Sequence, residues 1–214
     1  MHISVESYEE MYLKDKDEKA VRIEIENIRN QISRLKMRLE TPENANEDYR
    51  LRPQLSELAV YRRYLESALI RLGELCPGES FLTEDEERAK AIDSVYTEIE
   101  RVTLYVGTYY QTKHEMRIGD ISAMLTKVNL ESDVGYYDKI RKDVLAALSE
   151  IHFGEWKAKY LPEDYGCSLS EPIRWQVNVA YYGDIAPLKF EGIGVFPFDF
   201  ELLLKLMEID LTRF

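Results

Sequence analysis

Few residues of the kind that announce chemistry occur in this sequence. It has two cysteines, Cys76 and Cys167, and three histidines, His2, His114 and His152. Two cysteines so far apart form neither a metal-binding spacing nor a disulfide framework, so both read as reduced residues at the margin of a core. The histidines fall in neither H-x-x-x-H nor H-E-x-x-H, so no metal and no cofactor is expected. No G-x-S-x-G marks a nucleophile. The acid pair Glu163/Asp164 lies among turn residues, and nothing singles it out as a catalytic pair.

Long apolar runs are missing too. None approaches the ~18 residues of a membrane span. The N-terminal MHISVESYEEMYLKDKDEK has acids where a signal peptide has a basic and then an apolar region. The expectation is a cytoplasmic protein with no membrane partner. Positive charge is also short: the net charge is -12, with 16 acids and 13 bases in residues 1–80 and 24 acids and 15 bases in residues 81–214. A back half that acidic repels a phosphate backbone, so direct nucleic-acid binding is not expected.

What is present is pattern. Val21, Ile25, Ile28, Ile32, Leu35 and Leu39 recur at alternating steps of four and three, a heptad stripe. Thr41-Pro42 ends that helix, and TPENANED reads as a polar connection. A second stripe follows in Leu51, Leu55, Leu58, Tyr61, Leu65, Ala68, Leu72 and Leu75, and Cys76-Pro77-Gly78 stops it. Two such helices joined by a short loop predict an antiparallel, coiled-coil-like hairpin over residues 1–80. Its stripes, with Val21, Ile25, Ile28, Ile32, Leu35, Leu55, Leu58 and Leu65 at their centre, are candidates for association with a second copy or a partner helix.

Residues 81–214 read differently. TEDE is a capping box starting at Thr83, opening a third helix with Ala89, Ile92, Val95, Tyr96 and Ile99 on its apolar face. VTLYVGTYYQ is β-branched and aromatic and predicts a strand, with a second from about Ile121 to Val128. Tyr136 to Ile151 has helical spacing. HFGEWKAKYLPEDYG is irregular. Ile173 to Tyr182 alternates cleanly, Leu188 to Ile193 is its partner, and Phe198 to Leu211 reads as a terminal helix. The order ββαββα predicts an α+β domain built on an antiparallel sheet.

One stretch, EGIGVFPFDFELLLKL (191–206), poses a choice between a phosphate cradle and a structural bend. A cradle needs more glycines and a helix N-terminus open to the anion. Here bulky Val195, Phe196, Pro197 and Phe198 stand in the way. The bend needs only Gly192 and Gly194 at the strand end, with Asp199 as N-cap.

The matching residues Trp156, Lys157 and Tyr160, then Trp175, Gln176 and Val177, then Gly192, Pro197, Phe200 and Leu203 give residues 100–210 a further reading. This part of the chain resembles an uncharacterised α+β module of Gram-positive bacterial proteins, with W-K-x-x-Y, a strand carrying tryptophan, a glycine turn and a proline before the last helix. The resemblance implies the α+β fold and no activity. The chain departs from it at Pro172 and Ile173, where the module has Asp-Gly, and at Ile193 and Gly194, where it has Ser-Asn.

Three functions are compatible with these patterns. The first is a non-enzymatic protein-interaction or assembly module, with the hairpin for association and the α+β domain for recognition. Its partner would be another protein or a second copy. A recognition face would draw on Trp156, Tyr160 and Tyr182, since paired tyrosines on a strand put one ring outward. The second is a small hydrolase-type enzyme with a carboxylate and histidine site at residues 152–164, using His152 and Glu155. The third is an acidic inhibitor or nucleic-acid mimic from a mobile element.

Overall fold

The computed structural model describes residues 3–41, 53–108, 112–119, 122–128 and 134–211, with 122–128 and 134–140 described by backbone. The chain divides into two units, Met1–Thr83 and Glu84–Phe214. Among the described residues no helix is long and apolar enough to cross a membrane.

In the first unit a short helix α1 (Val5–Tyr8) runs into a π-helical turn, Glu9–Leu13. Helices α2 (Glu18–Glu40) and α3 (Pro53–Leu75) follow. Asp17 caps α2, its carboxylate accepting from the Ala20 N–H at 2.9 Å. The heptad stripe from Val21 to Leu39 is buried along α2. On α3, Leu58, Tyr64, Ala68 and Leu72 are buried, while Leu55, Tyr61, Leu65 and Leu75 are half-buried. The expected connection at 42–52, with Leu51, lies outside the described residues.

The two helices run antiparallel. Arg22, near the start of α2, meets Glu79 beyond the end of α3, and Arg29 donates to the Phe81 carbonyl at 2.7 Å. Tyr8 stacks on Tyr64 at 4.1 Å and on Tyr12 at 5.3 Å, and the Tyr64 hydroxyl donates to the Ile3 carbonyl at 2.6 Å. These rings strap the N-terminal segment onto α3. Burial raises the Tyr8 phenol's pKa well above its ordinary value, and the Glu24 carboxylate that accepts its proton adds to the effect.

The association candidates Val21, Ile25, Ile28, Ile32, Leu35 and Leu58 are therefore already covered inside this chain, and Leu55 and Leu65 are half-covered. The α2 stripe thus has little area left for a second copy, while the α3 stripe keeps part of its surface at Leu55 and Leu65. Ile28→Val should accordingly lower stability by about 1 kcal/mol. A helical circular-dichroism melt checks this, and a melt that does not shift with the substitution would count against a buried Ile28.

The second unit opens with α4 (Glu84–Asp93), one residue after Thr83. Strands β1 (Ile99–Gly107), β2 (Thr112–Ile118), β3 (Ser122–Val128) and β4 (Val134–Ile140) follow. Next come α5 (Arg141–Ser149), β5 (Lys159–Tyr160), β6 (Arg174–Tyr181), β7 (Leu188–Ile193) and α6 (Phe200–Leu206). The fold is α+β. Its single sheet has the order β4-β3-β2-β1-β6-β7-β5, antiparallel except for the β5–β7 pair.

Several elements differ from the sequence expectation. Four strands rather than two precede α5, and the third helix ends at Asp93, so Ile99, expected on its apolar face, is instead the first residue of β1. Strand β2 reads Thr-Lys-His-Glu-Met-Arg-Ile. Its charged residues mask a clean period of two, with His114, Met116 and Ile118 buried on one face. The helix expected from Tyr136 begins at Arg141, because residues 134–140 pair in register with β3 from Val134↔Val128 to Ile140↔Ser122. The tyrosines and Val134 suit that strand. The terminal helix stops at Leu206, and Glu208 takes a left-handed φ of 58°, which no helix continues.

Candidate functional site

The irregular segment 152–160 is where the sequence placed its catalytic and recognition candidates. Two aspartates from outside the segment hold it. Asp199, 1% exposed, accepts from the His152 N–H at 3.0 Å and from the Trp156 indole N–H at 2.6 Å. Asp93, the last residue of α4, accepts from the Gly154 N–H at 2.8 Å, and its other oxygen lies 3.6 Å from His152 Nδ1. Asp199 precedes α6, but its side chain makes no capping hydrogen bond, so the expected N-cap role is replaced by this clamp. A carboxylate inside the aromatic run Phe196-Pro197-Phe198-Asp199-Phe200 was the sequence signal for a buried acid with internal donors.

The aromatic rings held this way form the core. Trp156 packs edge-on to Phe153 at 4.9 Å and to Phe190 at 5.1 Å, and Trp175 tilts onto Phe200 at 4.8 Å and Tyr160 at 5.7 Å. Trp156 is 3% and Tyr160 0% exposed. Neither can present a recognition face, and that expectation is corrected for both. Lys157 lies over the Tyr165 ring at 4.8 Å and donates to its hydroxyl at 2.7 Å. The W-K-x-x-Y residues thus serve packing. Of the Tyr181/Tyr182 pair, Tyr181 is buried and Tyr182 is 40% exposed, its hydroxyl donating to the Ile118 carbonyl.

The bend at 191–194 is structural. The Trp175 indole donates to the Val195 carbonyl at 2.7 Å. A Cβ on Gly192 would sit 2.5 Å from that ring, and Gly194 has a φ of 63°. Gly192→Ala should lower stability by about 1–3 kcal/mol, because the ring is fully buried and bonded in place. Tryptophan-fluorescence unfolding in urea checks it, and an unshifted midpoint would contradict the close approach.

A gap lined by Ile92, Asp93, Tyr96, Ile99, Leu148, Ser149, Ile151, Phe153 and Tyr181 has a volume of about 10 Å³. That is at the lower bound for a single water. His152 and Glu155 are half-buried. Among the described residues no three His, Cys, Asp or Glu side chains converge as metal ligands. Cys76 and Cys167 are free and half-buried.

The sheet has a second face. The inner one carries Val102, Leu104, Val106, Trp175, Val177, Val179 and Phe190, all buried. The outer one carries Arg101, Thr103 and Tyr105 on β1, Lys113, Glu115 and Arg117 on β2, and Arg174, Gln176, Asn178 and Ala180 on β6. Lys189 and Glu191 on β7 and Lys159 on β5 extend it. Register aligns Lys113, Tyr105, Gln176, Glu191 and Lys159 in one row across the strands.

Two acids on this face, Glu115 and Glu191, each sit between two bases. Glu115 is held by Lys113 at 2.8 Å and Arg117 at 2.6 Å, and Glu191 by Lys159 at 3.2 Å and Lys189 at 3.4 Å. Burial pushes the Glu115 pKa up, but the Lys113 and Arg117 bonds outweigh it and leave it below the usual range. A lowered folded pKa stabilises above the unfolded value and loses that contribution as pH falls through the folded one. Glu115→Gln should therefore cost about 0.5–1 kcal/mol at neutral pH, and the cost should shrink as pH falls below the usual carboxylate range. Melting temperatures of both proteins at neutral and acid pH check this, and a gap that does not narrow in acid would contradict it.

No family model, no curated protein and no solved structure matches the chain. The class defined by the fold is an α+β protein, with a helical hairpin unit followed by an antiparallel sheet sealed on one face by aromatics.

Proposed function

We propose that this protein is a non-enzymatic interaction module in which the α+β unit recognises a protein partner through the outer face of its sheet. One observation carries the reading. The inner face is closed by Trp156, Trp175, Phe190 and Phe200, while the outer face presents Tyr105, Arg101, Arg174, Gln176 and Asn178 on a rigid antiparallel platform. Tyrosine and arginine give much contact energy at a protein interface. The hairpin's part in assembly is weakened as a reading, because its α2 stripe is covered within the chain.

The hydrolase reading has less support, since the gap that Asp93, Ile151 and Phe153 help to line holds only about 10 Å³. The acidic-mimic reading would need acids on an open face, whereas this one carries mostly bases.

Affinity capture from a host extract tests the proposal. The full chain is compared with a Tyr105→Ala/Asn178→Glu variant and with a Glu87→Lys control on α4. The expected result is a recurrent protein retained by the wild type and the control and lost by the sheet variant. Capture that is indifferent to the sheet variant would overturn the reading.

A further inference from the structure

We propose that the outer sheet face docks an acidic polypeptide segment in extended form; this deepens the interaction reading above and rests on it. The chain as a whole has a net charge of -12, yet this face runs the other way. Its described positions carry six bases, Arg101, Lys113, Arg117, Lys159, Arg174 and Lys189, against two acids, Glu115 and Glu191, with a third, exposed Glu100, at the bulge beside Arg101. The bases reach solvent: the side chains of Arg117, Lys159 and Lys189 are 59%, 66% and 59% exposed. Glu115 and Glu191 are each already neutralised by two of these bases, so neither opposes an incoming carboxylate with a free charge.

The placement of the bases sets the length and direction of the occupant. Arg117 stands opposite Arg101 at one end of the β1–β2 pair. Arg174 stands opposite Gly107 at the other end of β1. Between Arg101 and Gly107 the strand rises six residues, roughly 20 Å at about 3.4 Å per residue. Tyr105, Gln176 and Asn178 fill the strip between the charged ends, and the two amides bond each other at 3.2 Å. A segment of about seven extended residues spans that strip. Its carboxylates would meet the arginines at the ends, which suit two-pronged carboxylate binding. Its backbone would lie over neutral amides and one aromatic ring.

A single-stranded nucleic acid fits less well. It would bring a dense line of phosphates to a chain of strong net negative charge.

The test uses the full chain and three fluorescein-labelled probes in fluorescence polarisation: a glutamate-rich peptide of about ten residues, its lysine counterpart, and an oligothymidylate of similar length. Saturable binding of the glutamate peptide is expected, weakening at least tenfold as salt rises from low to several hundred millimolar. Arg101→Glu/Arg174→Glu should weaken it a further tenfold or more. Arg174→Glu alone, at an exposed position, should weaken it severalfold in a protein that melts like the wild type. Arg88→Glu on α4 should leave it unchanged. No glutamate-peptide binding, equal loss with the Arg88 control, or tighter binding of the oligothymidylate would overturn the proposal. If these probes fail while partner capture still depends on Tyr105 and Asn178, the acidic segment is excluded and the interaction reading stands.

Discussion

Replacing Asp199 by alanine should cost the α+β unit about 3–5 kcal/mol. The carboxyl group is 1% exposed and accepts from two donors, the buried Trp156 indole N–H and the part-buried His152 backbone N–H. Orphaning a buried donor costs about 1–3 kcal/mol, and bonds to a charged acceptor lie at the upper end of that range. The lost side chain adds a small cavity. Asp199→Asn keeps the volume and one acceptor oxygen but turns an amide N–H toward one of the donors, so it should recover about half the loss. Both tryptophans, Trp156 and Trp175, lie in this unit, so their fluorescence in a urea titration reports it without the hairpin. A loss below about 1 kcal/mol for the alanine variant would mean the clamp does not anchor the segment.

Gly154→Ala should be nearly as damaging, by about 2–4 kcal/mol. A Cβ there would lie 2.3 Å from the carbonyl oxygen of Ala89 and 2.6 Å from its Cα. Those are backbone atoms inside α4, and they cannot rotate away as a side chain can. The Gly154 N–H also donates to Asp93 at the end of that helix, so any retreat breaks a second contact. Because the clash is with backbone, adding Ala89→Gly should not rescue the variant. Rescue would show that the close approach is not the cause. Gly73 is the contrast: it lies within α3 with nothing within 4 Å of an added Cβ, and Gly73→Ala should stabilise the hairpin by up to about 1 kcal/mol.

Much of the architecture was legible from periodicity. The α2 stripe is buried residue for residue from Val21 to Leu39, because a heptad pattern states directly which side of a helix avoids water. The alternation of β6 was equally direct, with Trp175, Val177, Val179 and Tyr181 buried and the residues between them less so. Strand β2 was not legible, since lysine, glutamate and arginine at alternate positions look like a solvated stretch until partner strands occupy both sides. Val134–Ile140 misled because Tyr137 and Ile140 also fit the helical spacing that continues into α5.

For the site, local pattern was a poor guide. Sequence reasoning marked Trp156 and Tyr160 as surface aromatics and His152 with Glu155 as a reactive pair. Packing made the first two core residues and left the others half-buried. The residues that organise the segment, Asp93 and Asp199, are separated from it by 61 and 47 positions in their bonds, so no local pattern links them.

What the sequence alone determined is what depends on neighbours along the chain: two heptad helices, the alternating strand, the glycine bend, and an overall charge of -12. What only the tertiary structure decided is what depends on neighbours in space. The pairing of strands gathered six bases onto one face of an acidic protein, and burial turned Asp199 from a helix cap into a clamp. Charge adds along a sequence regardless of position, but a sheet surface is made by which strands lie side by side and in what register.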